Sequence, residues 1–335
     1  MQASNGNFYG TTSLGGAHTL GTVFKITPKG ALTTLYSFCA KRNCADGTYP
    51  LAPLIQATDG NLYGTTFYGG GGGSYGTVFR ITPAGKLKTL HAFAGYPTEG
   101  YYPYSGLVQA SDGNLYGTTQ NGGGNYDGTV FRITTAGALT TLYSFCDLGT
   151  GYPCPDGLNP SVALIQATDG NLYGTTVYGG SGAQYFMGLG TIFDITTGGT
   201  ETALYDFCTQ TGCPDGDVPW SSLLQATSGM FYGMTAGGGS GGCNGGCGTV
   251  FSLSMGLRPF VETLPTSGKV GAKVVILGNN LKGTTSVSFN GTTATFHVVS
   301  ATEIKTTVPT GATTGTVQVT TPGGTLNSNV VFRIP

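Results

Sequence analysis

The chain has 335 residues, enough for more than one domain, and its 60 glycines and 9% charged residues depart far from average globular usage. A net charge of −1 and the absence of any Lys/Arg run argue against nucleic acid as a partner. Apolar runs such as VVIL at 274–277 are too short to span a membrane, while 17 Phe and 19 Tyr argue against disorder.

From the first residues onward the chain repeats itself. YGTT recurs at Tyr9, Tyr63, Tyr116 and Tyr173 and as YGMT at Tyr232; GT(V/I)F recurs at Gly21, Gly76, Gly128, Gly190 and Gly248. A period of 50–60 residues marks a repeat architecture. The second copy is the clearest. Segment A, Pro53–Ala57, leads through the TDGN turn at Thr58–Asn61 into segment B, Leu62–Phe67. Asp-Gly between apolar runs is a strong hairpin signal, because the primed turns need positive φ. A glycine-rich loop then reaches segment C, Thr77–Thr82, and a PAG turn leads to segment D, Leu87–Phe93. Four short strands per unit, with no sustained helical period, predict a β-propeller of about five four-stranded blades over residues 1–257. The count is uneven: five B and five C segments, but four D segments and four complete A segments. Met1–Ser4 reads as the tail of an A segment, so the first A and last D are expected to be missing or incomplete. The closing blade would then be open, with self-association through its edge as one consequence. A D–A pair lost upstream of Met1 would account for it, and the same loss would account for the missing leader pattern.

Beyond Leu257 the character changes. Residues 1–257 carry 8 Lys/Arg and 13 Asp/Glu, a balance of −5, whereas 258–335 carry 6 and 2, a balance of +4. Alternating segments from VVILG to VVFRI predict an Ig-like β-sandwich of six or seven strands over 258–335.

The cysteines fall in close pairs: Cys39/Cys44, Cys146/Cys154, Cys208/Cys213 and Cys243/Cys247. Three pairs follow a D segment, and the second repeat, with HAFAGYPTEG there, lacks both partners together. Paired loss is what disulfides predict; zinc is the weaker reading, since the spacings lack CxxC knuckles and nearby histidines. Disulfides imply an oxidising compartment, hence a secreted or cell-surface protein.

The repeat core DGNLYGTT…GGxxxxGTVF(R/K)IT resembles the GloVer-type tandem repeats of choice-of-anchor bacterial proteins, over about 255 residues. That resemblance implies a secreted or surface-held protein. The tail, through Pro259–Leu281, Ser286–Ala294, Thr307–Pro309 and Val319–Thr325, resembles an IPT/TIG immunoglobulin-like domain, which implies a spacer or interaction module. Neither resemblance carries over a catalytic residue.

In an up-down blade the A–B and C–D turns share one face and the B–C and D–A loops the other. The first set is short and repetitive; the second is long and variable, so a binding site belongs there. Its candidates are Tyr68, Tyr75, Asn125, Tyr126, Asp127, Tyr178 and Tyr185 from the B–C loops, with Tyr104, Asp215, Asp217 and Trp220 from the D–A loops. Tyr and Trp with Asn suit sugar rings; the plainer reading is that they cover a glycine-rich core. An acid-Gly step recurs in each D–A loop (Asp46, Glu99, Asp156, Asp215) and reads better as a turn than as a carboxylate ring. No B segment holds an acid, and His18, His91 and His297 form no triad, so catalysis is not expected. The expected role is a non-catalytic extracellular binding or structural module, without metal or cofactor, for glycans or other surface proteins. A self-assembling structural protein, joined by the open edge or the C-terminal domain, and a glycosidase-like enzyme are the alternatives.

Overall fold

A computed structural model describes the whole chain except residues 96, 147–153, 182–187 and 241–245. It is all-β, and it divides into two compact units. The first comprises Met1–Gln166, Gly170–Leu223 and Gly233–Phe251; the second comprises Ala167–Asp169, Leu224–Tyr232 and Ser252–Pro335.

The central repeats fold as the turn signals direct. In the second, Ile55–Gln56, Leu62–Thr66, Thr77–Ile81 and Leu87–Ala92 form a four-stranded antiparallel sheet in the order A-B-C-D. The third (Val108–Gln109, Leu115–Thr119, Thr129–Ile133, Leu139–Ser144) and fourth (Ile165–Gln166, Leu172–Thr176, Thr191–Ile195, Glu201–Asp206) repeat that order. The A strands are only two residues long, shorter than the apolar run PLIQA suggests. The terminal repeats hold three strands each: B, C and D in the first, and Leu224–Gln225, Phe231–Met234 and Val250–Leu253 in the fifth. The first A survives only as a bridge between Gln2 and Phe8.

Every C–D pair carries a bulge at one place, between Val23 and Phe24, Val78 and Phe79, Val130 and Phe131, and Ile192 and Phe193. One extra residue on D (Leu35, Leu90, Leu142 and Leu204) goes unpaired and bends the strand. Leu35, Leu90 and Leu142 face the next repeat. A Cβ on the C–D turn glycines Gly85, Gly137 and Gly199 would lie 2.7–2.9 Å from the carbonyl oxygens of Leu35, Leu90 and Leu142. At φ of +92° to +109° these positions suit glycine on backbone grounds as well.

Two further contacts join successive repeats. Segment A glutamines reach back to the preceding A–B turn: Gln56 Oε1 accepts from Ser4 N (2.8 Å), Gln109 from Thr58 N (2.8 Å) and Gln166 from Ser111 N (2.8 Å). The D-segment phenylalanine packs edge-on against the next C-segment phenylalanine, with centroids 5.2 Å apart for Phe38–Phe79, 5.3 Å for Phe93–Phe131, 5.1 Å for Phe145–Phe193 and 5.0 Å for Phe207–Phe251. The core is a series of such seams, with Leu62, Phe79 and Ile81 buried in one and Leu115, Phe131 and Ile133 in the next.

The A–B turns show why Tyr follows DGN. Asp59 Oδ2 accepts from the buried Tyr63 hydroxyl at 2.7 Å while Oδ1 takes Asn61 N, and Asp112 does the same for Tyr116 and Asn114. Burial and the neighbouring carboxylate push both phenols up to about 12. The donated hydrogen bonds hold Asp59 and Asp112 below the usual carboxylate range, outweighing the opposing effect of burial, the first-ranked influence on each.

The second unit is a two-sheet sandwich of eight strands, one or two more than the alternating segments suggest. One sheet runs Glu262–Leu264, Lys273–Leu277, Glu303–Thr307, Phe296–Val298; the other runs Thr292–Thr293, Ser286–Phe289, Val317–Thr321, Gly324–Asn327. Val274, Ile276, Ile304, Val287, Phe289 and Val319 fill the space between them. The Leu224–Tyr232 hairpin belongs to this unit: Thr227 accepts from Phe260 N (3.0 Å) through its carbonyl and from Asn279 Nδ2 (2.7 Å) through its hydroxyl.

Candidate functional site

The variable loops are held to one another by a repeated backbone scheme. Each D–A loop bridges the following B–C loop, at Thr48↔Tyr68, Leu158↔Tyr178 and Asp217↔Gly237, and as the short ladder Gly100–Tyr101 with Asn121–Gly122 in the third repeat. Beneath each bridge lies a threonine pair from the ends of B and C: Thr66–Thr77 (2.8 Å), Thr119–Thr129 (2.7 Å), Thr176–Thr191 (2.8 Å) and Thr235–Thr249 (3.0 Å). The glycine of the acid-Gly step rests on that pair. A Cβ at Gly47, Gly100, Gly157 or Gly216 would come within 1.8–2.3 Å of the B-segment threonine hydroxyl.

The acid of the same step is also committed to structure. Asp46 Oδ2 accepts from Tyr36 hydroxyl (2.8 Å) and Ala40 N (2.9 Å), Asp156 Oδ2 from Tyr143 (2.9 Å) and Cys146 N (2.8 Å), and Asp215 Oδ2 from Tyr205 (2.8 Å) and Cys208 N (3.1 Å). In the second repeat Glu99 Oε2 accepts from His91 Nε2 (2.9 Å) and Ala94 N (3.0 Å). Tyr–Asp plus a disulfide is thus exchanged there, as a set, for His–Glu without one. Disulfides join Cys39–Cys44, Cys146–Cys154 and Cys208–Cys213 as expected. Cys247 is disulfide-bonded too, and its expected partner Cys243 lies outside the described residues. Such bonds mark a protein that folds outside the reducing cytosol. Among the described residues no helix is long and apolar enough to cross a membrane.

Four of the eleven candidate residues come together. Tyr68, Tyr75, Tyr104 and Trp220 belong to one chain of rings completed by Tyr49, Phe67, Tyr101 and Tyr102. Phe67 lies at its centre: its centroid is 4.8 Å from Tyr102, stacked, 4.6 Å from Tyr68 and 5.8 Å from Tyr104. Tyr68 meets Tyr102 at 5.1 Å and Tyr49 at 5.8 Å, Tyr102 meets Tyr101 at 4.7 Å, and Tyr101 meets Tyr75 at 5.4 Å. Tyr104 contacts Trp220 edge-on at 6.4 Å. Tyr68 and Trp220 remain 39% and 45% exposed to solvent. Burial raises the hydroxyls of Tyr101 and Tyr102 above the ordinary tyrosine value, helped by Tyr75 and the Asp127 carboxylate at Tyr101 and by the neighbouring phenols at Tyr102.

The backbone under these rings is strained. Tyr49, Tyr102, Asn159 and Val218, each preceding a proline, have φ of 52–60°. Left-handed backbone is costly away from glycine, more so for a β-branched residue. It is held by two hydrogen bonds per residue; at Tyr102, N donates to Tyr75 O (2.9 Å) and O accepts from Gln120 N (3.0 Å). The scheme repeats while its side chains do not. The position occupied by Phe67 is Ser13, Gln120, Val177 or Ala236 elsewhere, and that of Trp220 is Leu51, Tyr104 or Ser161.

None of the other described candidates adds a ring to this chain, although Asp127 is near enough for its charge to act on Tyr101. Asn125, Tyr126 and Asp127 share the B–C loop of the third repeat, where Asn125 donates to Cys146 O, Tyr126 is half exposed and Asp127 is buried. Asp127 approaches the sulfurs of Cys146 and Cys154, but these are bonded to each other, which leaves a single carboxylate for any cation. Tyr178 packs on Cys146, Cys154 and Leu158. Asp217 is raised above the usual carboxylate range by burial and by Asp215. Tyr185 lies outside the described residues.

Sequence reasoning missed Phe67, read only as the end of a B strand, although its failure to repeat was a signal. It also missed Glu201, which stands where other repeats have Leu32, Leu87 and Leu139. Burial, together with Asp156 and Asp194, pushes the Glu201 carboxyl up to about 7, and its Oε1 is buried without a partner among the described residues.

Comparison with known proteins agrees with the motifs. Residues 1–159 match the Gloeobacter/Verrucomicrobia repeat, and residues 260–334 match the IPT/TIG domain. The chain carries Gloeobacter/Verrucomicrobia repeats and a C-terminal TIG domain. No curated protein matches it. Among solved structures it is similar to the extracellular domain of a hybrid two component system from B. thetaiotaomicron, at 11% identity and a TM-score of 0.46, covering 78% of this chain and 31% of that one. It is also similar to a luciferin-regenerating enzyme (15%, TM-score 0.43, 74% and 78% covered) and to endo-arabinase from Bacteroides thetaiotaomicron (14%, TM-score 0.36, 76% and 92% covered). The chain therefore spans about a third of the length of the first of these.

Proposed function

We propose that the Gloeobacter/Verrucomicrobia repeats form a five-bladed propeller that serves as a non-catalytic, extracellular or surface-held binding module for neutral glycans. The single observation that carries the binding role is the continuous aromatic surface from Tyr75 to Trp220, built from residues that break the repeat. Flat rings with exposed faces match the apolar C–H face of a pyranose, and peptide and hydroxyl groups at the rim can take its hydroxyls. The recurrent acids of the D–A loops are occupied by tyrosine or histidine and by loop N–H groups, which favours binding over acid–base chemistry. The contact between Tyr104 and Trp220, from the third and fifth repeats, supports a circular arrangement. The TIG domain would act as a spacer or partner module.

A glycan array tests the reading. The full chain is expected to select a neutral oligosaccharide class, and Phe67→Ala or Trp220→Ala is expected to abolish that selection. An empty array at high protein concentration would overturn the glycan assignment.

A further inference from the structure

Among the described residues the fifth repeat has no D strand, and the consequence is visible on both sides of where one would lie. Val250 opens its C strand and is 76% exposed, whereas the matching Val23, Val78 and Val130, each packed between a D-segment phenylalanine and the A and B leucines of the next repeat, are fully buried. No strand pairs with the outer edge of Val250–Leu253 among the described residues. The first repeat lacks what a D strand supplies to its successor. Among the described residues no phenylalanine packs against Phe24, which is only half-buried, while Phe79, Phe131 and Phe193 are 0–1% exposed. Among the described residues nothing lies within 4 Å of a Cβ at Gly30, where Gly85, Gly137 and Gly199 abut a bulge leucine carbonyl.

We propose that the edge of Val250–Leu253 is a docking site for an extended peptide of the repeat's own D type, LTTLYSF, which occurs twice in the chain at Leu32–Phe38 and Leu139–Phe145. The interface continues one already built four times in the same molecule, which fixes its chemistry. The peptide runs antiparallel to the C strand and bulges at its second leucine. Its β-branched and aromatic residues cover Val250, and main-chain hydrogen bonds supply affinity while pockets for alternate side chains supply register. The phenylalanine of the motif would seat on Phe24, and its bulge carbonyl on Gly30. That second half rests on the circular arrangement proposed above; the edge pairing does not.

The test uses the full chain and a fluorescent, end-capped peptide of Ala31–Phe38. Saturable binding is expected, with amide exchange slowed in Val250–Leu253. Val250→Lys, at an exposed position that places a charge on the edge, and Phe38→Ala within the peptide should each weaken binding by about tenfold or more. If Phe24→Ala weakens it likewise, both halves stand. If Phe24→Ala has no effect while Val250→Lys abolishes binding, edge docking stands and the circular arrangement fails. Absence of binding, or equal binding of a scrambled peptide, overturns the proposal. So does concentration-dependent dimerisation that Val250→Lys disperses, since the occupant would then be a second copy. Glycan binding is read separately, so its loss or survival does not bear on the edge.

Discussion

Glu201 offers a stability experiment whose sign is fixed by its surroundings. Its carboxyl titrates near 7 in the folded protein against an ordinary 4.5, because burial and the charges of Asp156 and Asp194 disfavour ionisation. A native pKa above the unfolded one means that the folded state holds the proton more tightly. The favourable contribution is therefore complete below 4.5 and is lost as pH rises through 7. That difference corresponds to about 3 kcal/mol at full ionisation, and to about 2 kcal/mol after allowing for the residue's partial exposure. Glu201→Leu restores the residue found at Leu32, Leu87 and Leu139, two of which pack beside the preceding repeat's seam. It should therefore stabilise the protein at pH 8 by about 2 kcal/mol, or about 4–8 °C in Tm for a domain of this size, and by much less at pH 5. Thermal unfolding at both pH values, alongside Glu201→Gln, provides the check. Parallel Tm shifts of parent and Leu variant across the range would refute the reasoning.

Three further outcomes follow from the scaffold. Gly47→Ala places a methyl group 2.2 Å from Thr66 Oγ1 at a φ of +98°, and chemical denaturation should show a loss of about 2 kcal/mol or more. Asp112→Ala removes the acceptor of the buried Tyr116 hydroxyl and of Asn114 N, and should cost about 1–3 kcal/mol in the same assay, an effect that shrinks in acid as the depressed carboxylate of the parent protonates. Reducing the described disulfides, which close loops of sequence separation 5, 8 and 5, should lower stability by about 2 kcal/mol each, and thiol titration of the unfolded, unreduced protein should find almost no free thiol.

Much of the fold is legible in the sequence because its causes are local. Asp-Gly hairpin turns, period-two alternation and a repeated YGTT place the four strands, and counting segments reveals both the stub at Gln2 and the bare edge at Val250. The three described cysteine pairs follow from their joint loss in one repeat. What the sequence does not display arises from contacts between repeats. The leucine bulge on each D strand, the glutamine that caps the preceding turn and the glycine seated on a threonine pair involve residues 19–55 positions apart or an unpaired residue that no alternation marks. The candidate site is legible in location and only partly in membership. Tyr68, Tyr75, Tyr104 and Trp220 stand out as aromatics in variable loops, but Phe67 ends a strand and Tyr102 gains its place through a left-handed backbone that sequence alone does not signal. Glu201 escapes notice because one acid in a polar strand looks solvated until the strand is packed.

The most direct test of the binding role uses the only tryptophan in the chain, Trp220, which sits at the end of the ring surface. Titrating neutral oligosaccharides while following its fluorescence should give a saturable change in intensity or emission wavelength for one glycan class. Phe67→Ala should abolish that change, and Asp215→Ala should spare it in a folded variant. A flat titration across neutral glycans, or a response that Phe67→Ala leaves intact, would contradict the account.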